Sequence, residues 1–293
     1  MATAKDFYLG ARPKTLSAAI APVSIGAALA YYENSDDFDF GVSFACLIVA
    51  IALQIGVNYA NDYSDGKKGT DDNRVGPMRL VGSGRASAKS VFVAMCVSFF
   101  IAGLAGIYVA SQSSWWLILV GLICIALAWF YTGGKHPYGY YGLGEIVVFV
   151  CFGLVATVGT FYANTGVITF NSIISGCIPG FYSVAILLAN NIRDIETDRE
   201  SGKRTLASRI GDRYSRNLFA FVFVMIAISI ILLSVSIGYV WFALSVLVIG
   251  VILVKKMYGA KKPPEYISIL VGTSQANLIS GLLISAMILL SAS

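Results

Sequence analysis

Apolar runs long enough to cross a lipid bilayer follow one another along almost the whole chain. Of the 293 residues, 57% are hydrophobic and only 13% are charged, and the mean hydropathy is +0.75. A helix needs about 20 apolar residues to cross the hydrocarbon core. This balance lies outside the range of soluble globular proteins. The sequence therefore predicts an all-α, polytopic membrane protein.

Nine apolar runs qualify as candidate membrane spans. They begin near residues 15, 41, 91, 114, 144, 170, 217, 238 and 267. Only a short Ser-Ile-Gly-Tyr stretch near Gly238 separates the seventh run from the eighth. Joining these two would move every later loop to the other side of the membrane. We expect nine spans in one integral-membrane domain over residues 1–293.

The positions of Lys and Arg predict the orientation. If the N-terminus lies inside, all 21 basic residues fall on the inner side. They are Lys5, Arg12 and Lys14, six from Lys67 to Lys89, Lys135, seven from Arg193 to Arg216, and four from Lys255 to Lys262. The outer loops hold none. This is the positive-inside pattern, so the N-terminus and the long loops are expected in the cytoplasm and the C-terminus outside a multi-pass cell membrane protein.

The net charge of +5 does not indicate nucleic acid binding. Because the basic residues flank membrane spans on one side, lipid head groups are the simpler partner. The polar sequence is also concentrated in the inner loops 61–90, 132–143, 191–216 and 255–266. Loops on a rigid scaffold commonly carry function, so we expect the chemistry on the inner face.

Two similar acidic motifs end the second and the sixth predicted spans. The first is Asn58, Asp62 and Asp65, at i, i+4 and i+7, and the second is Asn190, Asp194 and Asp198, at i, i+4 and i+8. Each spacing puts the three side chains on one face of a helix. Four spans separate the motifs, so both run in the same direction. This predicts a parallel repeat of two four-helix units plus one closing helix.

Two facing rows of carboxylate and amide oxygens would repel one another unless cations lay between them. Hard oxygen ligands of this kind favour Mg²⁺, which keeps waters and bridges to substrate phosphate. The alternative is that these acids are solvated residues at helix ends. Two matched copies on one side favour the metal site. Acids at helix C-termini also oppose the helix dipole, so their placement here requires a compensating cation.

Basic residues close to the acidic motifs are candidates for binding a diphosphate, as Arg and Lys bind phosphate oxygens. The basic residues near the motifs are Lys67, Lys68, Arg74 and Arg79 after the first, and Arg193, Arg199, Lys203 and Arg204 around the second. The candidates are Lys67, Arg79, Lys203 and Arg204, together with Lys135 and Tyr131, which flanks it. The positive-inside rule alone would place many of them here. Lys135 is the single basic residue of its loop and has Gly133 and Gly134 beside it, where backbone could approach a phosphate.

These motifs resemble those of a known family. Residues 61–65 and 194–198 are similar to the two aspartate motifs of the UbiA superfamily of intramembrane prenyltransferases. Within it, residues 12–16, 131–134, 142–145 and 202–207 resemble the 1,4-dihydroxy-2-naphthoate polyprenyltransferases of menaquinone synthesis. The resemblance covers nearly the whole chain.

The resemblance implies nine helices around a central cavity, with Mg²⁺ and a polyprenyl diphosphate at its cytoplasmic mouth. It implies that Asn58, Asp62, Asp65, Asn190, Asp194 and Asp198 hold metal, the four aspartates being catalytic, and that Tyr131, Lys135, Lys203 and Arg204 help to bind diphosphate. One position departs from the pattern. Many relatives have an acid where Gly69 stands, with Asp71 and Asp72 slightly beyond, so the third ligand of the first motif is open.

The implied reaction is Mg²⁺-dependent transfer of a polyprenyl group to 1,4-dihydroxy-2-naphthoate, with decarboxylation, giving demethylmenaquinol. A naphthoate carboxylate needs a cation near the mouth, and Arg12 or Lys14 is the candidate. Another aromatic acceptor, 4-hydroxybenzoate or homogentisate, is an alternative. A secondary transporter is another, although the sequence lacks charge near mid-membrane and Pro-interrupted half-helices. The Asp62–Gly66 stretch also partly matches the opening of CDP-alcohol phosphotransferases, but their following Ala-Arg is absent.

The topology can be tested by cysteine labelling. We expect Lys203→Cys to be protected from a membrane-impermeant thiol reagent in intact cells, because its loop lies inside. Asp37→Cys, in the first outer loop, is the matched control and should be labelled. Labelling of Lys203→Cys from outside, above the background of the native cysteines, would contradict the orientation.

Overall fold

The computed structural model describes residues 2–68 and 78–292, and every regular element in these ranges is helical. The helices are α1 Ala4–Gly10, α2 Ser17–Glu33, α3 Phe40–Lys68, α4 Ala88–Gln112, α5 Trp116–Phe130, α6 Gly144–Phe149, α7 Ala156–Thr165, α8 Phe170–Arg193, α9 Ile195–Glu200, α10 Leu206–Ser236, α11 Leu247–Gly259 and α12 Pro263–Ala292. A π-helical turn, Val150–Val155, joins α6 to α7. Short 3₁₀ helices cover Pro13–Thr15, Tyr138–Tyr141 and Gly238–Val246. The predicted all-α class is confirmed.

The helices account for most of the predicted spans. Within the described ranges, seven helical segments are long and apolar enough to cross a membrane, and an eighth results if α1 through α2, bent by 53°, forms one broken span. Trp116–Phe130 is apolar but has only 15 residues. Each of the nine predicted segments is thus helical, while the count of nine crossings stays a prediction. The chain is a multi-pass membrane protein.

The seventh and eighth predicted spans are separate helical segments. Helix α10 ends at Ser236, and Ile237 adopts an extended conformation (φ −126°, ψ 91°) before the 3₁₀ helix Gly238–Val246 begins. The break lies where the Ser-Ile-Gly-Tyr stretch predicts it.

Packing follows the same pattern in both halves of the chain. Helix α3, which carries the first motif, packs most extensively against α4, and α8, which carries the second, packs most extensively against α10. Helix α12 packs against α2 and α8, so the last helix closes the bundle against the first. This arrangement agrees with the predicted repeat and closing helix.

Glycines allow a close helix crossing in the second half. A Cβ at Gly153 would lie 2.4 Å from the Cα of Gly180 and 2.6 Å from the carbonyl oxygen of Gly176. Small residues let membrane helices approach this closely, and the resulting van der Waals contact replaces the hydrophobic driving force that lipid removes. The π-helical turn is therefore pressed against α8.

Contacts between loops gather the polar segments at one end of the bundle. The Lys68 Nζ donates to the carbonyl oxygen of Thr132 at 2.6 Å, and the Arg204 backbone N–H donates to that of Tyr140 at 3.1 Å. Arg216, near the start of α10, donates to the Ala260 carbonyl oxygen after α11. We call this the motif end, since both acidic motifs lie here.

Candidate active site

A cavity of about 510 Å³ opens between helices α2 to α8. Its wall includes Asp65 at the motif end and Cys46 near the opposite end of α3. At 1.5 Å per residue these positions lie roughly 28 Å apart along the helix. That depth approaches the ~30 Å of a bilayer hydrocarbon core. The wall is polar at the motif end and almost entirely apolar beyond it.

Glycines keep the apolar part of the cavity wide. Gly103 on α4, Gly121 on α5 and Gly159 on α7 all line it. A Cβ added at any of them would meet no other atom within 4 Å. These positions on α4, α5 and α7 therefore leave room, whereas the π-helical turn is closely packed against α8. This space suits a long hydrocarbon chain.

The structure brings half of the predicted site residues into the cavity wall. These are Arg12, Asn58, Asp65, Arg79, Tyr131, Asn190 and Lys203. Asp62, Asp194 and Asp198 are buried and are not part of the wall. Lys14, Lys67, Lys135 and Arg204 are exposed and lie outside the wall. The roles of these four residues stay predictions. In the structure, Lys68 is the cation that donates to the Thr132–Gly134 loop.

The last acid of each motif is paired with a cation of the following loop. Arg79 Nη2 lies 3.4 Å from Asp65 Oδ2, and the Arg79 side chain is only 8% exposed. Lys203 Nζ lies 3.7 Å from Asp198 Oδ1, while the Thr205 hydroxyl donates to Asp198 Oδ2 at 3.1 Å. Arg79 and Lys203 both line the cavity, and Asp65 lines it with them. The first motif thus presents a carboxylate and a cation, and the second presents the cation that is paired with its buried Asp198.

Asp62 has a different position from that expected of a direct metal ligand. Its residue is 1% exposed, and its carboxylate oxygens accept hydrogen bonds from the backbone N–H groups of Leu80 (2.7 Å) and Val81 (2.9 Å). Such charge-assisted bonds are strong. Asp62 thereby holds the segment that contains Leu80 and Val81 against α3. The same segment places Arg79 beside Asp65.

The second motif does not lie on one uninterrupted helix, as its spacing had predicted. Helix α8 ends at Arg193, and Asp194 (φ −98°, ψ 9°) separates it from α9. Arg193 donates to both Asp194 oxygens at 2.6 and 2.7 Å and to Asn190 Oδ1 at 2.8 Å. The break turns Asp194 toward Arg193, so that its charge is balanced inside the protein.

The oxygen donors at the mouth fit a magnesium ion that is bound together with a phosphate. Over residues 2–68 and 78–292, no group of three or more Asp, Glu, His or Cys side chains converges as a metal cluster. Asp65, Asn58 and Asn190 nevertheless share the cavity wall. The Asn58 amide N–H group donates to the Ala11 carbonyl oxygen, which leaves its Oδ1 as the atom that could hold a cation. Mg²⁺ commonly takes one or two carboxylates plus substrate phosphates rather than an all-protein cage. Gly69, Asp71 and Asp72 lie outside the described residues.

Several residues of the mouth were not predicted as site residues. The Thr132 hydroxyl donates to Asn61 Oδ1 at 3.0 Å, and both residues line the cavity with Gln54 and Thr15. The signal for Gln54 was its position four residues before Asn58, which extends the polar row by one helical turn. Thr15 and Thr132 lie in the segments 12–16 and 131–134 that carry the family resemblance, but their contact with α3 appears only in the folded chain.

Burial raises the pKa of the Tyr131 phenol above its ordinary value, and the nearby Glu145 raises it further. The hydroxyl therefore stays protonated at neutral pH and can donate a hydrogen bond into the mouth. This property suits a residue that contacts an anionic ligand.

Comparison with known proteins identifies the family. A model of the UbiA prenyltransferase family matches residues 19–265. The chain belongs to this family. A 1,4-dihydroxy-2-naphthoate octaprenyltransferase of Mycobacterium leprae is 48% identical over 219 residues, 75% of this chain and 74% of the relative. The enzyme of the same name from Haemophilus influenzae is 35% identical over 291 residues, 96% of this chain and 94% of its own.

Solved structures of the family share the fold. A UbiA homolog from Aeropyrum pernix matches with a TM-score of 0.73 at 14% identity, over 95% of this chain and 98% of that one. A UbiA homolog from Archaeoglobus fulgidus bound to DMAPP and Mg²⁺ matches with a TM-score of 0.57 at 15% identity, over 95% and 99%. The protein is thus a prenyltransferase, and the transporter and CDP-alcohol phosphotransferase alternatives fall away.

The different positions of Asp62 and Asp65 predict different mutant behaviour. Asp65→Asn removes a charge from the cavity wall and should lower kcat roughly a hundredfold or more, without altering the segment around Leu80. Asp62→Asn should lower activity and also weaken hydrogen-exchange protection of the Leu80 and Val81 amides by about tenfold or more.

Hydrogen exchange followed by mass spectrometry on residues 78–86 distinguishes the two variants. Equal protection in both, with equal loss of activity, would show that Asp62 does not fasten this segment. Full activity of Asp65→Asn at ordinary Mg²⁺ would remove Asp65 from the site.

Proposed function

We propose that this prenyltransferase transfers a polyprenyl group from polyprenyl diphosphate to 1,4-dihydroxy-2-naphthoate, with Mg²⁺ as its cofactor. The product is demethylmenaquinol, and the carboxylate leaves as CO₂. The observation that carries the proposal is the 48% identity with a relative named for this acceptor, over three quarters of both chains. The cavity supports it, since a polar mouth leads into a deep apolar space.

The diphosphate would bind at the mouth, where Arg79 and Lys203 lie in the wall beside Asp65 and Asp198. Both cations can turn from their carboxylates toward phosphate oxygens, which are stronger acceptors when doubly charged. The protonated Tyr131 hydroxyl can donate to the same group. Lys68, whose ammonium group lies 5.0 Å from the centre of the Tyr140 ring, adds positive charge nearby.

Asn58, Asp65 and Asn190 would hold Mg²⁺, with Asp198 close behind them. A relative that shares the fold was solved with DMAPP and Mg²⁺, which supports Mg²⁺ as the cofactor. When bound, the metal would neutralise charge that builds on the departing diphosphate. Asp62 and Asp194 would act through Arg79 and Arg193, by fixing where these cations lie.

The reaction needs the C1–O bond of the donor to break, with its electron pair going to the diphosphate. Arg79, Lys203 and Tyr131 stabilise that developing negative charge as a preorganised site. The resulting allylic cation is attacked by a carbon of the electron-rich ring. Loss of the carboxylate as CO₂ returns an electron pair to the ring, so this step requires no base. The apolar wall excludes water, which would otherwise capture the cation.

The acceptor is tested directly with purified protein, radiolabelled polyprenyl diphosphate and three acceptors. We expect turnover of 1,4-dihydroxy-2-naphthoate, one CO₂ released from carboxyl-labelled acceptor for each prenyl group transferred, and loss of activity with EDTA that Mg²⁺ restores. Preferential turnover of 4-hydroxybenzoate or homogentisate would overturn the naphthoate assignment. Prenylated product that keeps the carboxyl label would overturn the decarboxylation.

The path of the prenyl chain is tested at Gly121. Gly121 and Tyr131 both line the cavity, roughly 15 Å apart along the helix direction. Gly121→Leu fills open space and should lower kcat/KM for a long polyprenyl diphosphate by roughly tenfold or more. Dimethylallyl diphosphate, which ends before this depth, should be little affected.

Gly259→Leu is the matched control, since Gly259 also faces open space but lies outside the cavity wall. It should change neither donor. An equal loss with the short and long donors in Gly121→Leu would show that the chain takes another path.

A further inference from the structure

Gln54 places a buried hydrogen-bond acceptor in the cavity wall. It lies on α3 and is 7% exposed. Its Nε2 donates to the Thr15 hydroxyl oxygen at 3.3 Å. Its Oε1 is buried and has no hydrogen-bond partner among the residues that the structure describes. A buried polar atom left in this way costs free energy, so it calls for a ligand.

Thr15 fixes which end of the Gln54 amide is left over. The Thr15 hydroxyl donates its single proton to the carbonyl oxygen of Arg12 at 2.9 Å. It can therefore only accept from Gln54, which holds the amide N–H₂ toward Thr15 and leaves the oxygen as the atom without a partner. A ligand for Gln54 must consequently bring either an O–H or N–H donor or a cation. A donor fits better here, because the carboxylates that would hold a cation follow Asn58 on α3 and lie nearer the motif end.

The surroundings of Gln54 place it at the border between the polar mouth and the apolar depth. Asn58, one helical turn nearer the motif end, donates to the Ala11 carbonyl oxygen at 2.9 Å. Gln54 and Asn58 thus fasten both sides of the Arg12 segment to α3. Arg12 is the one non-glycine residue in the described ranges with a positive φ, 54°. Strained backbone of this kind persists where the surroundings hold it, often at functional sites.

The chemistry of the two substrates decides which one can reach Gln54. A prenyl chain has no hydrogen-bond donor, and an ionised diphosphate offers acceptors only. The aromatic acceptor is the substrate that carries hydroxyl groups. Its carboxylate also needs a cation, and Arg12 lies in the same wall.

We propose that Gln54 determines acceptor specificity, with its Oε1 accepting a hydrogen bond from a ring hydroxyl of the aromatic substrate. This inference rests on the proposed function only in that the acceptor is a hydroxyarene. The hydroxyl bound in this way stays oriented toward α3, and its oxygen donates electron density to the ring as the ring attacks.

The experiment compares Gln54→Met with the parent chain on three acceptors. Met has similar length and volume but only a weak acceptor atom. The acceptors are 1,4-dihydroxy-2-naphthoate and its two analogues that each lack one hydroxyl, measured as substrates or, where not turned over, as competitive inhibitors. Gln54→Met should raise the KM, or the inhibition constant, of the dihydroxy compound by roughly tenfold. The same constant for the analogue that lacks the bound hydroxyl should change very little, and the KM for polyprenyl diphosphate should not change.

Two further variants serve as a second test and as a control. Gln54→Asn keeps the amide but shortens the side chain, so it should give the same hydroxyl-dependent loss. It replaces Gln54→Met in the test if that variant folds poorly. Ser98→Ala removes a buried hydroxyl on α4 that bonds within its own helix and should change nothing. Equal losses on all three acceptors, or a raised KM for the diphosphate, would overturn the proposal.

Failure of the proposed function gives a different outcome. If the parent chain turns over 4-hydroxybenzoate rather than the naphthoate, the same comparison is made with that acid and its analogue without the hydroxyl. A hydroxyl-dependent loss there would support Gln54 with a different acceptor. An equal loss on the acceptor and on its analogue without the hydroxyl would overturn the role of Gln54, whichever acceptor is used.

Discussion

The site depends on balancing carboxylates that are buried at the edge of an apolar cavity. A buried carboxylate is costly unless a cation or several donors compensate it. Asp65 has Arg79, Asp194 has Arg193 and Asp198 has Lys203. Arg79 and Lys203 come from segments that follow the motif helices, so the polar mouth forms only when these segments are fastened. The Asp62 bonds to Leu80 and Val81 do this in the first half.

The two halves of the repeat use the same motif on differently packed helices. The second half is closed by the crossing of Gly153 and Gly180, and a large buried cluster surrounds Tyr182 and Phe219 on α8 and α10. The first half leaves α3, α4 and α5 around an open space whose walls include Gly103 and Gly121. Under the proposed function, the closely packed half would hold one row of polar groups in place, while the open space would admit the prenyl chain.

The sequence predicted the membrane class, the helix of the first motif and the common end of both motifs, because hydropathy and charge segregation depend on solvent and not on packing. It did not predict the helix break at Asp194 in the second motif. It did not distinguish Asp62 from Asp65. Both occupy one helical face, and only the return of residues 78–84 decides which of them reaches the cavity. The role of Lys135 stays a prediction, and it too depends on packing. Its flanking glycines suggested a phosphate loop, whereas the folded chain brings Lys68 to that loop and leaves Lys135 exposed.

The order of polar groups along α3 also constrains where the two substrates meet. With the diphosphate at Asp65 and the prenyl chain in the apolar depth, C1 of the donor must lie between them, beside Asn58 and Gln54. A ring hydrogen-bonded to Gln54 and ion-paired with Arg12 would occupy this border and present its face to C1. The same ring would block the route by which water could enter from the mouth. Acceptor binding and protection of the allylic cation would thus be one event, because a single planar group fills the position that both require.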